Sequence, residues 1–181
     1  NANAGMAMTV THISAAAGSL AWMGVEWFKH GKPSVLGIVT GMVAGLGTIT
    51  PASGYVGPAG ALIIGIAAGL TCYYATQFIK RGLHIDDSLD VFPVHGVGGI
   101  LGTLATGIFA AESMGGLGLD VSIATQLGIQ LTGIIATALW CGVVSYVLLK
   151  LLDATIGLRV TDEEETEGLD LVLHDERGYN F

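Results

Sequence analysis

The chain has 181 residues, 51% of them hydrophobic and only 12% charged, where a soluble domain carries roughly a quarter charged. With 28 glycines and a formal charge of −8 it reads as an integral membrane protein, and the acidic balance excludes nucleic acid as an expected partner. The first residue is Asn1, with no methionine and no charged leader region, so no signal peptide is expected and the sequence reads as a piece of a longer protein.

Taken in order, apolar segments at 6–28, 34–50, 58–79, 88–111 and 121–156 predict an all-α membrane protein with five transmembrane helices. The first carries Trp22 and Trp27, expected as interfacial aromatics. The second spaces Gly37, Gly41 and Gly45 four apart, a close-packing face, and the third repeats the device with Gly65 and Gly69. Cys72 and Cys141 lie inside apolar runs and are expected as buried small hydrophobes without a disulfide. The fifth segment would be ~54 Å long if helical throughout, so it must tilt, kink or project from a ~30 Å hydrocarbon core.

The fourth segment is the one the chain is organised around. After Asp90 it runs uncharged through Ala111, yet it holds His95, and an ionisable ring on a spanning helix is a functional hypothesis by default. Asp90 is expected as the N-cap and Pro93 in the first turn, where a missing N–H is tolerated. Gly96, Gly98, Gly99 and Gly102 clear space around the imidazole for another backbone or a small solute. Two duller roles stand beside this one: a hydrogen-bonded bridge between two helices, or a haem ligand in a membrane redox subunit with His12 as its axial partner. His30, His84 and His174 are expected in loops or the tail. No Cys/His cluster has metal-ligand spacing, so no metal is expected, and no nucleotide loop or nucleophile elbow occurs.

Lys29, Lys32, Lys80, Arg81, Lys150, Arg159 and Arg177 fall after segments one and three or at and beyond the end of five, and the loops after two and four carry none. The positive-inside bias then predicts an outside N-terminus and a cytoplasmic C-terminus. No second copy of the His95 helix occurs, so any inverted repeat would have its other half elsewhere. The tail, 161–181, opens on a dense acidic run and lacks the cations of a membrane anchor. It is either a solvated, flexible terminus or a docking element for a cytoplasmic protein.

The run from Asp86 through His95 to Gly99, together with Gly31-Lys-Pro-Ser34, Gly47-Thr-Ile-Thr-Pro-Ala-Ser-Gly-Tyr55, Gly60-Ala-Leu-Ile-Ile-Gly65 and Gly157-Leu-Arg-Val-Thr-Asp-Glu-Glu-Glu-Thr-Glu-Gly-Leu-Asp170, resembles the C-terminal half of an ammonium transporter of the Amt/Mep/Rh family, in its bacterial Amt branch. The resemblance implies a homotrimer of eleven-helix protomers, each with a pore between inverted five-helix halves, this chain supplying helices seven to eleven. It implies transport of ammonium or ammonia, with no enzymatic activity and no cofactor. His95 would be the second of the family's twin histidines, with Val91 lining the conduit, Thr40 facing the cytoplasmic vestibule and Asp90 capping the pore helix. Asp86 and Asp87 would lie on the cytoplasmic side, while the first histidine, the phenylalanine gate and the outer recruiting site would lie outside this chain. Domain bounds follow as 1–160 for the membrane part and 161–181 for a regulatory tail in the cytoplasm beneath the inner (plasma) membrane. There Asp162, Glu163, Glu164, Glu165, Glu167, Gly168 and Asp170 would dock a PII-type signal protein. The alternative is an ammonium sensor that signals through the same tail. The chain departs from the family pattern at its end, in Leu171-Val-Leu before His174 and the closing Arg-Gly-Tyr-Asn-Phe.

Overall fold

The computed structural model describes residues 2–178 and contains no strand among them; Tyr179, Asn180 and Phe181 of the unusual closing sequence lie outside the described residues. Its chain divides into Asn1–Ile134 and Ile135–Phe181. In the first unit, α1 (Ala2–His30), α2 (Val35–Ile49) and α3 (Pro58–Gln77) pack pairwise. The glycine ladders are the seams. A Cβ at Gly45 would run into the Ser14 carbonyl of α1, and one at Gly69 would lie 2.6 Å from the Gly18 carbonyl, so backbone meets backbone along both contacts. Ser14, fully buried there, donates to the Gly45 carbonyl at 2.9 Å, which removes the penalty of a lone hydroxyl in an apolar seam.

Local chemistry sets the ends. The Ser34 hydroxyl accepts from the Gly37 amide at 2.9 Å and starts α2, while Pro58 occupies the first turn of α3. A π-helical turn, Phe78–Gly82, closes α3, and a second one, Phe92–Val97, leads into α4 (Gly98–Phe109). After a short 3-10 turn at Glu112–Met114 comes α5 (Ile123–Thr155), which is ~50 Å long at helical rise, as the length of segment five required. It stops where Gly157, at φ +77°, sends its amide to the Leu152 carbonyl at 3.1 Å.

Among the described residues three runs are long and apolar enough to cross a membrane: Pro58–Gly82, Phe92–Phe109 and Ile123–Thr155. This falls short of the five expected. α2 is apolar but has only 15 residues. α1 has the length, yet Thr9, Thr11, His12, Ser14 and Ser19 dilute its apolarity. Each of those side chains bonds a carbonyl on α1 or α2, so the polar atoms are satisfied within the helix pair.

Several other expectations are corrected, while the count of five spans is left neither confirmed nor overturned. Trp22 is 3% exposed and packs edge-on against Tyr73 at 5.4 Å, drawn inward by a bond from its indole to Glu26, which leaves Trp27 as the exposed tryptophan of the pair. Cys72 is buried as expected, but Cys141 is exposed, because no residue of α5 is buried. His30 ends α1 instead of entering the loop, and its Nε2 lies 3.0 Å from the Tyr73 hydroxyl. In the second unit the tail is not structureless: α6 (Asp162–Glu167) and α7 (Leu169–His174) follow Thr161, which forms a capping box with Glu164.

Candidate functional site

The start of the fourth apolar run is held by a carboxylate, but not by the expected one. Asp87 accepts from the amides of Val91 and Phe92, both at 2.8 Å. Asp90 has φ +56°. An N-cap needs an extended backbone, so a left-handed residue cannot fold its carboxylate over the amides that follow. The Asp90 side chain instead meets Lys80 of the π turn at 2.7 Å, a charge pair without hydrogen-bond alignment. The helix itself begins later than the expected 88, at Val91 and the π turn after it, with Pro93 in its first turn.

This π turn sorts side chains to opposite sides. Pro93 and Val94 are buried, Val94 against Trp22, Ala44, Cys72 and Tyr73. Val91, Phe92 and His95 are exposed, with Val91 and His95 four residues apart, the spacing of neighbours on one helical face. The imidazole of His95 has no hydrogen-bond partner among the described residues, so the interhelical bridge has no bond to rest on within this chain. Beside it lies Gly47 of α2, whose Cβ position is 3.8 Å from His95 Nδ1. Widened turns of this kind often mark functional positions in helices.

The four glycines near His95 do different things. A Cβ at Gly98 would lie 2.8 Å from Thr48 Oγ1, and one at Gly102 would strike the Thr48 carbonyl, so both serve the packing of α4 on α2. Gly96 lies under the Phe92 ring, and only Gly99 faces open space. Thr40 and Asp90 are brought together in a cleft of about 250 Å3 whose walls include Glu26, Thr76 and Lys80; His95 and Val91 do not line it. Thr40 is half-buried and donates to the Leu36 carbonyl of its own helix at 2.9 Å. The buried Thr76 hydroxyl, also in the lining, has no hydrogen-bond partner.

Gly47, Asp87 and Lys80 were not singled out as site residues. Asp87 was visible as one carboxylate of Asp86-Asp-Ser-Leu-Asp, but only backbone conformation selects among them. Among the described residues no cluster of three His, Cys, Asp or Glu could hold a metal. His12 turns Nδ1 toward the Met8 carbonyl of its own helix at 2.9 Å. His84 stands in the loop before α4 and His174 ends α7.

In the tail, Asp162, Glu163, Glu165, Glu167 and Asp170 are exposed, and Glu164 and Gly168 half-buried. Glu164 accepts from the Thr161 amide at 2.9 Å and from its hydroxyl at 3.0 Å, and these bonds, the amide first, hold its carboxyl below the usual range. A lowered folded-state value means the stabilisation is complete above the ordinary glutamate range and fades as pH falls through the lowered one. The box is therefore intact at neutral pH. Arg159 pairs with Glu165 at 2.8 Å, and Gly168, at φ +103°, separates α6 from α7.

A profile of the Ammonium Transporter Family matches residues 1–179. An ammonium transporter of Aquifex aeolicus is 45% identical over 182 residues, covering all of this chain and 43% of its own. Among solved structures, a sensor Amt protein is similar with a TM-score of 0.87 and 33% identity, over 96% of this chain and 43% of its own. Mep2 of Saccharomyces cerevisiae is similar with a TM-score of 0.79 and 34% identity, over 90% and 38%. The chain thus spans less than half the length of these relatives.

Proposed function

The chain belongs to the ammonium transporter family, and from that premise we propose that it forms one wall of a pore that moves ammonium nitrogen across a membrane as neutral ammonia. The observation that carries the proposal is the exposed, unbonded imidazole of His95 on an apolar spanning run, with Val91 on the same face and Gly47 beside it. An ammonium ion taken whole into an apolar conduit loses hydration worth several kcal/mol even after relaxation. Ammonia avoids that penalty. In the proposed path ammonium sheds a proton outside, ammonia passes His95 and Val91, and a proton is regained at the end marked by Thr40 and the Lys80–Asp90 pair. A second imidazole, contributed from outside this chain, would share a proton ring to ring with His95. That arrangement leaves one nitrogen of each ring to donate to or accept from the passing solute. Potassium has no proton to shed, so obligatory deprotonation excludes it.

The test is His95→Ala in the whole protein reconstituted in liposomes. The expected result is a fall in ammonium uptake of about tenfold or more, or the loss of discrimination against potassium. Unchanged flux with unchanged exclusion of potassium overturns the proposal. Current recorded alongside flux reads whether the shed proton follows the ammonia.

The same premise supports the larger arrangement: five spans with the N-terminus outside, one half of an inverted-repeat protomer, a homotrimer, and a C-terminus in the cytoplasm beneath the inner (plasma) membrane. Every cation of the sequence falls on the side this orientation makes cytoplasmic. The tail, with its acids presented on capped α6, would be the docking element for a PII-type signal protein.

A further inference from the structure

We propose that Lys80 is a positioning residue for His95: by pairing with Asp90 it holds in register the π turn that presents the imidazole. The inference rests on the reading above that His95 and Val91 line the conduit. Among the described residues there are two π turns, Phe78–Gly82 at the end of α3 and Phe92–Val97 ahead of α4. Lys80 stands in the middle of the first, and Asp90 two residues before the second. Their side chains meet at 2.7 Å, and the Lys80 ammonium also donates to the Ser88 carbonyl at 3.5 Å. The pair therefore ties the two π turns together across the neck of the loop that joins them.

A π turn holds one residue more than an α turn and is rare, so its neighbours have to keep it open. His95 makes no hydrogen bond among the described residues, which leaves the aim of its ring to the backbone. Closing the turn to α geometry would rotate everything before it by about 100° around the helix axis and carry the Asp90 Cα, on a ~2.3 Å radius, about 3.5 Å from its place. Lys80, held at the Ser88 carbonyl, opposes that displacement. The backbone has reason to move, because Asp90 sits at φ +56°, a region that residues other than glycine adopt sparingly. Asp90 Oδ1 is buried without a hydrogen-bond partner, so the Lys80 ammonium is its counterpart among the described residues, and Arg81, on the wall of the same cleft, makes no pair with it. Asp87 caps the amides of Val91 and Phe92, which an α turn would offer equally, so the cap does not select the π geometry.

The whole protein is compared as wild type, Lys80→Gln, Lys80→Arg, Asp90→Asn and the double variant Lys80→Gln/Asp90→Asn. Cryo-electron microscopy reads the turn, and ammonium uptake in liposomes reads transport. Lys80→Gln is expected to close Phe92–Val97 to α geometry, draw Val94 from its place against Trp22 and Tyr73, and lower maximal uptake about tenfold at an unchanged half-saturating concentration. Lys80→Arg keeps both the turn and the rate. Asp90→Asn breaks the same pair and reproduces the loss, and the double variant loses no more than either single one, since there is one pair to break. Arg81→Gln transports as wild type. A π turn that stays open in Lys80→Gln or in Asp90→Asn overturns the proposal, and any fall in uptake then belongs to the charges acting on the solute itself. Additive losses in the double variant overturn it as well. Should Lys80→Gln not fold, Asp90→Asn carries the same test. His95→Ala without effect on flux removes the conduit reading and not the latch, which the geometry of the turn decides.

Discussion

At the scale of single residues, backbone conformation decides which of several equivalent side chains does a job. Asp87 takes two amides at the start of the fourth run, whereas Asp90, left-handed at φ +56°, can only reach sideways to Lys80. Asp87→Ala strips the acceptor from both amides and is expected to cost about 1–2 kcal/mol, read as a lowered unfolding midpoint. Asp90→Asn keeps a side chain that tolerates the left-handed region and loses only a partly exposed pair, within about 1 kcal/mol. If the two costs come out in the opposite order, the cap returns to Asp90. His95 was legible from the sequence because an ionisable ring amid apolar residues is conspicuous in one dimension. Its neighbour Gly47 was not, since the two meet only when α2 and the fourth run are packed.

Among elements, spacing carried most of what could be read. Glycines four apart in α2 and α3 announced the seams with α1, because a period of four keeps residues on one helical face. In α4 the glycines cluster too closely for spacing to sort them, and the structure separates packing positions from open ones. Gly102→Ala drives a methyl into the Thr48 carbonyl and is expected to lose about 1–3 kcal/mol through forced separation of α4 from α2. Gly99→Ala, on the same helix but facing open space, is expected to be neutral or to gain up to ~1 kcal/mol in helix propensity. Thermal unfolding in detergent compares the pair, and equal losses would remove the packing role of Gly102. The tail helix was also legible: Thr161-Asp-Glu-Glu164 is a capping-box pattern.

For the whole molecule, hydropathy under-reports the segments that make the bundle. α1 and α2 are the least lipid-like of the apolar stretches by length or polarity, yet they meet backbone to backbone at Gly18, Gly41 and Gly45 and bond their own polar groups. Conversely α5, the most apolar of the three candidate spans, has no buried residue at all. In the proposed arrangement, function at this scale also depends on what reaches the tail. Its carboxylates are presented on a helix whose cap is formed at neutral pH, so a partner meets a preformed acidic surface and pays little ordering entropy. Deleting 161–181 is expected to abolish capture of a PII-type signal protein by the solubilised transporter. Thr161→Val, which removes the hydroxyl that caps α6 while leaving every acid in place, is expected to weaken capture only a few fold. The two variants together separate charge from helix order. Capture that survives the deletion moves the docking surface to the loop around Asp86, an exposed carboxylate near the cations of the π turn that closes α3.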